Sequence, residues 1–188
     1  MPNPTVPRRI ETSREDLLVA AFAALAITIH IAESALPSPL PGVKPGLANI
    51  VTLVVLCRYG WRLALWVSLL RVLVGSILIG TFLSPAFFLS ASGAVASVLV
   101  LGLCYAWSQA APSWVIGPIG LGLAAAMAHM SGQFWVAYLL FVPHPGMLML
   151  YPVLMLLAAL LGLVSGVLTA KVLEQLDKPA VQDGAASP

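Results

Sequence analysis

An all-α integral membrane protein of six transmembrane helices is what this sequence predicts, on three observations. First, the 188 residues are 60% hydrophobic and only 9% charged, whereas soluble domains run near about 25% charged. So few ionisable groups cannot cover a surface facing water, and the bilayer is the natural solvent for such a chain. Second, the apolar runs are broken at turn-like stretches, "CRYGWR", "GTFLSP", "SQAAPS" and "VPHPG". Third, the basic residues fall on alternate connections, which fixes an orientation. With the N-terminus inside, Arg8, Arg9, Arg14, Arg58, Arg62, Lys171 and Lys178 lie inside and only Lys44 lies outside. This asymmetry follows the positive-inside rule and makes both termini cytoplasmic.

Residues 1–13 carry three prolines and two arginines before "TSRED" and are expected to be a disordered cytoplasmic N-terminus. Arg8, Arg9 and Arg14 ahead of an apolar run have the look of a signal peptide. His30 and Glu33 interrupt that run and no good A-x-A site follows, so a retained first helix is expected. Thr12 or Ser13 caps it, with Glu15 or Asp16 three residues on, as in a capping box. The first helix is expected over Arg14–Ala35. The segment 36–46 holds four prolines and cannot be helical, because proline lacks a donor and disfavours helix before it. The second helix is short. Its apolar part, Leu47–Cys57, is 11 residues, which at about 1.5 Å per residue spans roughly half of a ~30 Å hydrocarbon core. Such a helix needs protein to fill the remaining depth, so the preceding loop is expected to dip inward as a stiff lid.

The third helix is expected over 62–80, the fourth over 86–108, the fifth over 113–141 with Pro112 in its first turn, and the sixth over 147–174. Residues 14–174 then form one membrane domain, and 175–188 a disordered cytoplasmic tail. Helices in lipid associate through close backbone packing. Small residues recur every fourth position at Ala158, Gly162, Gly166 and Ala170, and again at Gly120, Ala124 and Ala128. Gly93 with Ser97, and Ala20 with Ala24, are shorter stripes, the last able to dock a partner membrane protein. Cys57 and Cys104 have no metal-type spacing and read as buried small residues.

The rare polar groups within the apolar runs are the candidate site. His30 and Glu33 share a face of the first helix, Asn49 opens the second at the same level, and Arg71 lies midway along the third, flanked by Ser68 and Gly75. His129 lies on the fifth, followed by Ser131 and Gln133. Ionisable residues at membrane depth are costly and mark functional sites. Two arrangements fit. Arg71 and Glu33 form a buried tie, or a polar cavity opens outward with Arg71 and Lys44 facing an anionic or carbonyl group. For His129 taken alone a satisfied bundle histidine is favoured over a ligand, and His144 is expected to be simply exposed.

The stretches "ESALPSPLPGVKPGLANIVTL" and "RVLVGSILIGTFLSPAFFLSASG" resemble the Gx transporter family, which also carries the name heptaprenyl diphosphate synthase component I. The likeness covers about residues 15–175; Pro45 departs from the small or apolar residue usual after Lys44. The resemblance implies a bundle like the substrate-binding S-components of energy-coupling-factor transporters. It implies an extracellular-side pocket beneath the first loop, a first helix whose small residues (here Ala20 and Ala24) contact a membrane coupling protein, and a bacterial inner-membrane location. It also suggests links to quinone or isoprenoid metabolism.

Function classes can be weighed from the residues. A net charge of +2 gives no footprint for nucleic acid. Prenyl diphosphate synthesis needs clustered aspartates to hold Mg²⁺; outside the N-terminal stretch the aspartates are Asp177 and Asp183, both in the tail. No G-x-x-x-x-G-K-[ST] pattern occurs, so ATP-driven transport would need ATPase and membrane partners. No G-x-S-x-G elbow is present. The expectation is a non-enzymatic transport component without a cofactor, binding a small solute through Glu33, Lys44, Asn49, Arg71, His129 and His30. The alternative is a membrane subunit of an isoprenoid- or quinone-linked system, in which a haem would require His30 and His129 to meet.

Overall fold

A computed structural model describes residues 13–35, 47–111 and 115–178. The proline-rich lid with Lys44, the N-terminal stretch before Ser13, Pro112, and the tail beyond Lys178 lie outside the described residues. The elements in order are α1 (Arg14–Ala35), α2 (Leu47–Tyr59), α3 (Trp61–Ile79), α4 (Pro85–Ala110), α5 (Pro118–Val136) extended by a π turn (Ala137–Phe141), α6 (Pro145–Leu148) and α7 (Tyr151–Asp177). No strand occurs among the described residues.

Local chemistry explains most boundaries. At the start of α1, the Asp16 amide donates to Ser13 Oγ at 3.1 Å and the Ser13 amide to Asp16 Oδ2 at 3.0 Å, the reciprocal capping pair. At the end of α3, Gly80 takes φ 78°, its amide donates to the Ile77 carbonyl, and the Thr81 amide reaches back to Ser76. This is a Schellman closure, which favours glycine. Ser84 then caps α4 by accepting from the Phe87 amide, with Pro85 at the first turn, where its missing N–H costs nothing.

Two boundaries differ from expectation. The fifth helix starts at Pro118, with Gly117 as its cap, and residues 115–117 are not helical. The expected sixth helix is divided. Proline near the start of α7 has no amide to donate back into α6, so the chain makes a four-residue helix, breaks, and begins again. At its other end α7 runs on to Asp177, whose carboxylate pairs with Arg58.

The helices form a closed ring, α1–α3–α4–α5–α7–α2, with α2 also touching α3 and α5. This explains how so short a helix survives. Residues Val51 to Leu56 of α2 are all buried, with Leu53 and Val55 wholly so; α2 is walled by protein, which satisfies its surroundings where lipid would meet bare chain ends. The close packing of α5 on α7 comes from glycines. A Cβ on Gly122 would stand 2.6 Å from the Gly162 carbonyl oxygen, and one on Gly166 2.6 Å from the Ile119 Cα. The α7 face is the expected one, with Ala158, Gly162 and Gly166 buried. The α5 face is not: Gly122 and Ala125 are buried in place of the expected Gly120, Ala124 and Ala128.

The outside of the ring is apolar, with Leu78, Leu99, Leu103, Leu139, Leu156 and Leu160 among many exposed large side chains. Among the described residues, α1, α3, α4 and the stretch Pro145–Asp177 are long and apolar enough to span a membrane. The chain is therefore a multi-pass membrane protein. Helix α2 is too short, and α5 is as long as α3 but carries His129, Ser131 and Gln133. Cys57, expected to be buried, is exposed, and Cys104 is half-buried.

Candidate functional site

In one half of the ring the helices stand apart around a cavity of about 400 Å³. Its position follows from the topology. The C-terminal end of α1, the start of α2, the middle of α3, the start of α4, the second half of α5 and the first half of α7 all face it. Small residues hold the opposite half of α5 and α7 together, and the cavity opens where bulkier side chains and a widened backbone replace them. The π turn after α5, closed by the Val142 amide on the Ala137 carbonyl at 2.9 Å, begins at the cavity wall. Such widened turns recur at functional sites.

The polar lining gathers the residues singled out in the sequence. His30 and Glu33 of α1, Asn49 of α2, Arg71 of α3 and His129 of α5 all line this one cavity. Lys44 lies outside the described residues. Ser68, Arg71 and Gly75 form one buried face of α3. Gly75, one turn beyond Arg71, gives room to His30: a Cβ there would lie 3.0 Å from the imidazole Cδ2. Gly93 of α4 does the same for His129, whose Cε1 and Nε2 would both sit 2.8 Å from a Cβ, as would Cγ of Gln133. Two glycines on neighbouring helices thus seat two imidazoles from opposite sides of the ring.

Arg71 is the energetic centre of the site. It is 6% exposed, and its Nε has no hydrogen-bond partner among the described residues. Glu33, 4% exposed, interacts with it electrostatically. A guanidinium presents five donors in a fixed fork, and burying one without satisfying it costs several kcal/mol. A carboxylate partner offsets part of that cost.

The remaining wall is apolar, formed by Leu89, Met130, Phe134, Leu154 and Leu161 among others. Phe134 is held by Tyr151 of α7, their ring centroids 4.7 Å apart, and Tyr151 in turn shares a hydrogen bond with Ser131 at 3.1 Å. Ser90, Gln133 and Ser165 add polar points that sequence reasoning did not assign to the site. Gln133 was signalled by standing one turn beyond His129. Ser165, between Gly162 and Gly166, was hidden inside a packing motif.

Other candidates lie elsewhere. Ala20 and Ala24 are exposed on the outer face of α1, and Ala20 borders a groove with Asp16, Val19, Trp66 and Leu70 toward the opposite end of the ring. His144 is exposed and caps α6, its Nδ1 accepting from the Gly146 amide at 3.1 Å. No group of three or more His, Cys, Asp or Glu side chains able to hold a metal occurs among the described residues.

No curated protein and no solved structure matches the chain. A family description does, that of heptaprenyl diphosphate synthase component I, over residues 22–172. The match takes in every residue that lines the cavity and both stretches that carry the resemblance, so the chain belongs to the heptaprenyl diphosphate synthase component I family.

Proposed function

We propose that this protein is a non-enzymatic membrane transport component that binds a small solute in the cavity around Arg71, open to the non-cytoplasmic side. The observation that carries this reading is the gathering of the buried Arg71 with His30, Glu33, Asn49 and His129 around one cavity of about 400 Å³. Ligand cavities typically span about 300–1,000 Å³, with mostly apolar walls and a few polar groups that fix orientation. This one has both. A carboxylate or carbonyl oxygen would be drawn to the Arg71 guanidinium, and His30, Asn49, His129 and Gln133 would choose among ligands that offer one. Transport against a gradient would require a coupling membrane protein and an ATPase, with the exposed Ala20 and Ala24 as the docking stripe.

The family name favours a second reading, a membrane partner of a synthase assembly. The two readings differ in what leaves the membrane with the protein, a small solute or a synthase subunit. Native mass spectrometry of gently purified protein tests both. The expected result is a small-molecule adduct that Arg71→Ala abolishes and Arg71→Lys weakens, since lysine keeps the charge but loses the fork. An adduct that survives Arg71→Ala in folded protein would reduce Arg71 to a structural tie with Glu33. Co-purification of a prenyl synthase subunit without any small molecule would favour the second reading.

A further inference from the structure

If the cavity binds a solute, as proposed above, its lining also constrains the charge and size of that solute. Among the described lining residues, Glu33 and Arg71 are the charged ones, a carboxylate and a guanidinium, both buried. They oppose one another in charge and interact electrostatically within the same cavity lining. A ligand with two or more negative charges would meet one guanidinium already facing a carboxylate, and that carboxylate would repel it. A ligand with a net positive charge would meet the converse. The balanced pair suits a head group that brings one acceptor and one donor side by side. The acceptor meets the Arg71 guanidinium, and the donor faces Glu33, whose carboxylate oxygens can each accept more than one hydrogen bond.

Size and wall chemistry complete the picture. A cavity of about 400 Å³ is near the lower end of the range for small ligands, and a heptaprenyl chain cannot be enclosed in it. The side away from the charged pair is formed by Leu89, Met130, Phe134, Leu154 and Leu161, which favour an apolar body of modest length. We infer that the ligand is a small amphipathic zwitterion, amino-acid-like in its head and apolar in its body, and that the cavity does not hold the diphosphate after which the family is named.

Three probes with matched six-carbon bodies test this: norleucine, hexanoate and hexyl phosphate, titrated calorimetrically against the full chain in nanodiscs. The expected order is norleucine tightest, hexanoate weaker, and hexyl phosphate weaker than norleucine by about tenfold or more, a difference of ~1.4 kcal/mol. Glu33→Gln should reverse the preference between norleucine and hexanoate while Arg71→Lys leaves the order intact. Should Glu33→Gln fail to fold, the wild-type order still decides. Hexyl phosphate binding tightest would overturn the zwitterion and leave the cavity reading standing. If none of the probes binds and no adduct co-purifies, both fall together. If none binds but an adduct of another charge class does co-purify, only the zwitterion falls.

Discussion

Arg71 shows how one side chain can be both a liability and a candidate site. Its burial is tolerable because Glu33 shares the cavity and Ser68 and Gly75 keep that face of α3 open. The same opening is maintained from across the ring by Gly93, whose missing Cβ leaves the imidazole of His129 and the Cγ of Gln133 where they are. The atoms crowding Gly93 belong to side chains that can swing aside, so the fold should survive a methyl group there. Gly93→Ala is therefore expected to push His129 and Gln133 into the cavity, weakening ligand binding by about tenfold, or ~1.4 kcal/mol, at a stability cost under about 1 kcal/mol. Thermal unfolding in detergent beside ligand titration checks it. A collapse in melting temperature would show that Gly93 serves packing first.

The helix pair α5–α7 behaves differently because the atoms facing its glycines are backbone. A Cβ on Gly166 would lie 2.6 Å from the Ile119 Cα and 2.9 Å from the Pro118 carbonyl oxygen, neither of which can rotate away. Without a hydrophobic force between helices in lipid, separation of the backbones loses the packing that joins them. Gly166→Ala is expected to destabilise the fold by about 1–3 kcal/mol and Gly120→Ala, which among the described residues meets only the Ile116 side chain, by much less. Comparing their melting temperatures distinguishes the two, and equal effects would contradict the observed register. That register was only half legible. The stripe Ala158, Gly162, Gly166 stands alone in α7 and could be read directly. In α5 the run "GLGLAAAMA" offers small residues on several faces at once, and nothing in a single chain chooses between Gly120 and Gly122. Turn chemistry was plainer: Gly80, Ser84 and Pro85 each occupy the position their backbone demands. The polar half of the site was legible because His30, Glu33, Asn49, Arg71 and His129 are rare in so apolar a chain. The apolar half was not, since leucine and methionine facing a cavity look the same in sequence as those facing lipid.

At the scale of the whole molecule the two ends of the ring differ in charge. Arg14, Arg58, Arg62, Lys171 and Lys178 all lie toward the end that carries the α2–α3 turn and the last turn of α7. Apart from the buried Arg71, the half with the α3–α4 turn holds no lysine or arginine among the described residues, and the cavity lies in that half. Basic residues are retained on the cytoplasmic side during insertion, so the cavity half is expected to face outward, as solute capture requires. The ion pair between Arg58 and Asp177 joins the last turn of α2 to the last turn of α7 at the end of the ring away from the cavity. In a Cys57→Ala, Cys104→Ala background, Leu83→Cys in the exposed α3–α4 turn should react with a membrane-impermeant maleimide on intact cells. Lys178→Cys should react only after permeabilisation. The reverse pattern would put the cavity on the cytoplasmic side, where Arg71 would meet the internal solute pool and an uptake role would lose its geometric basis.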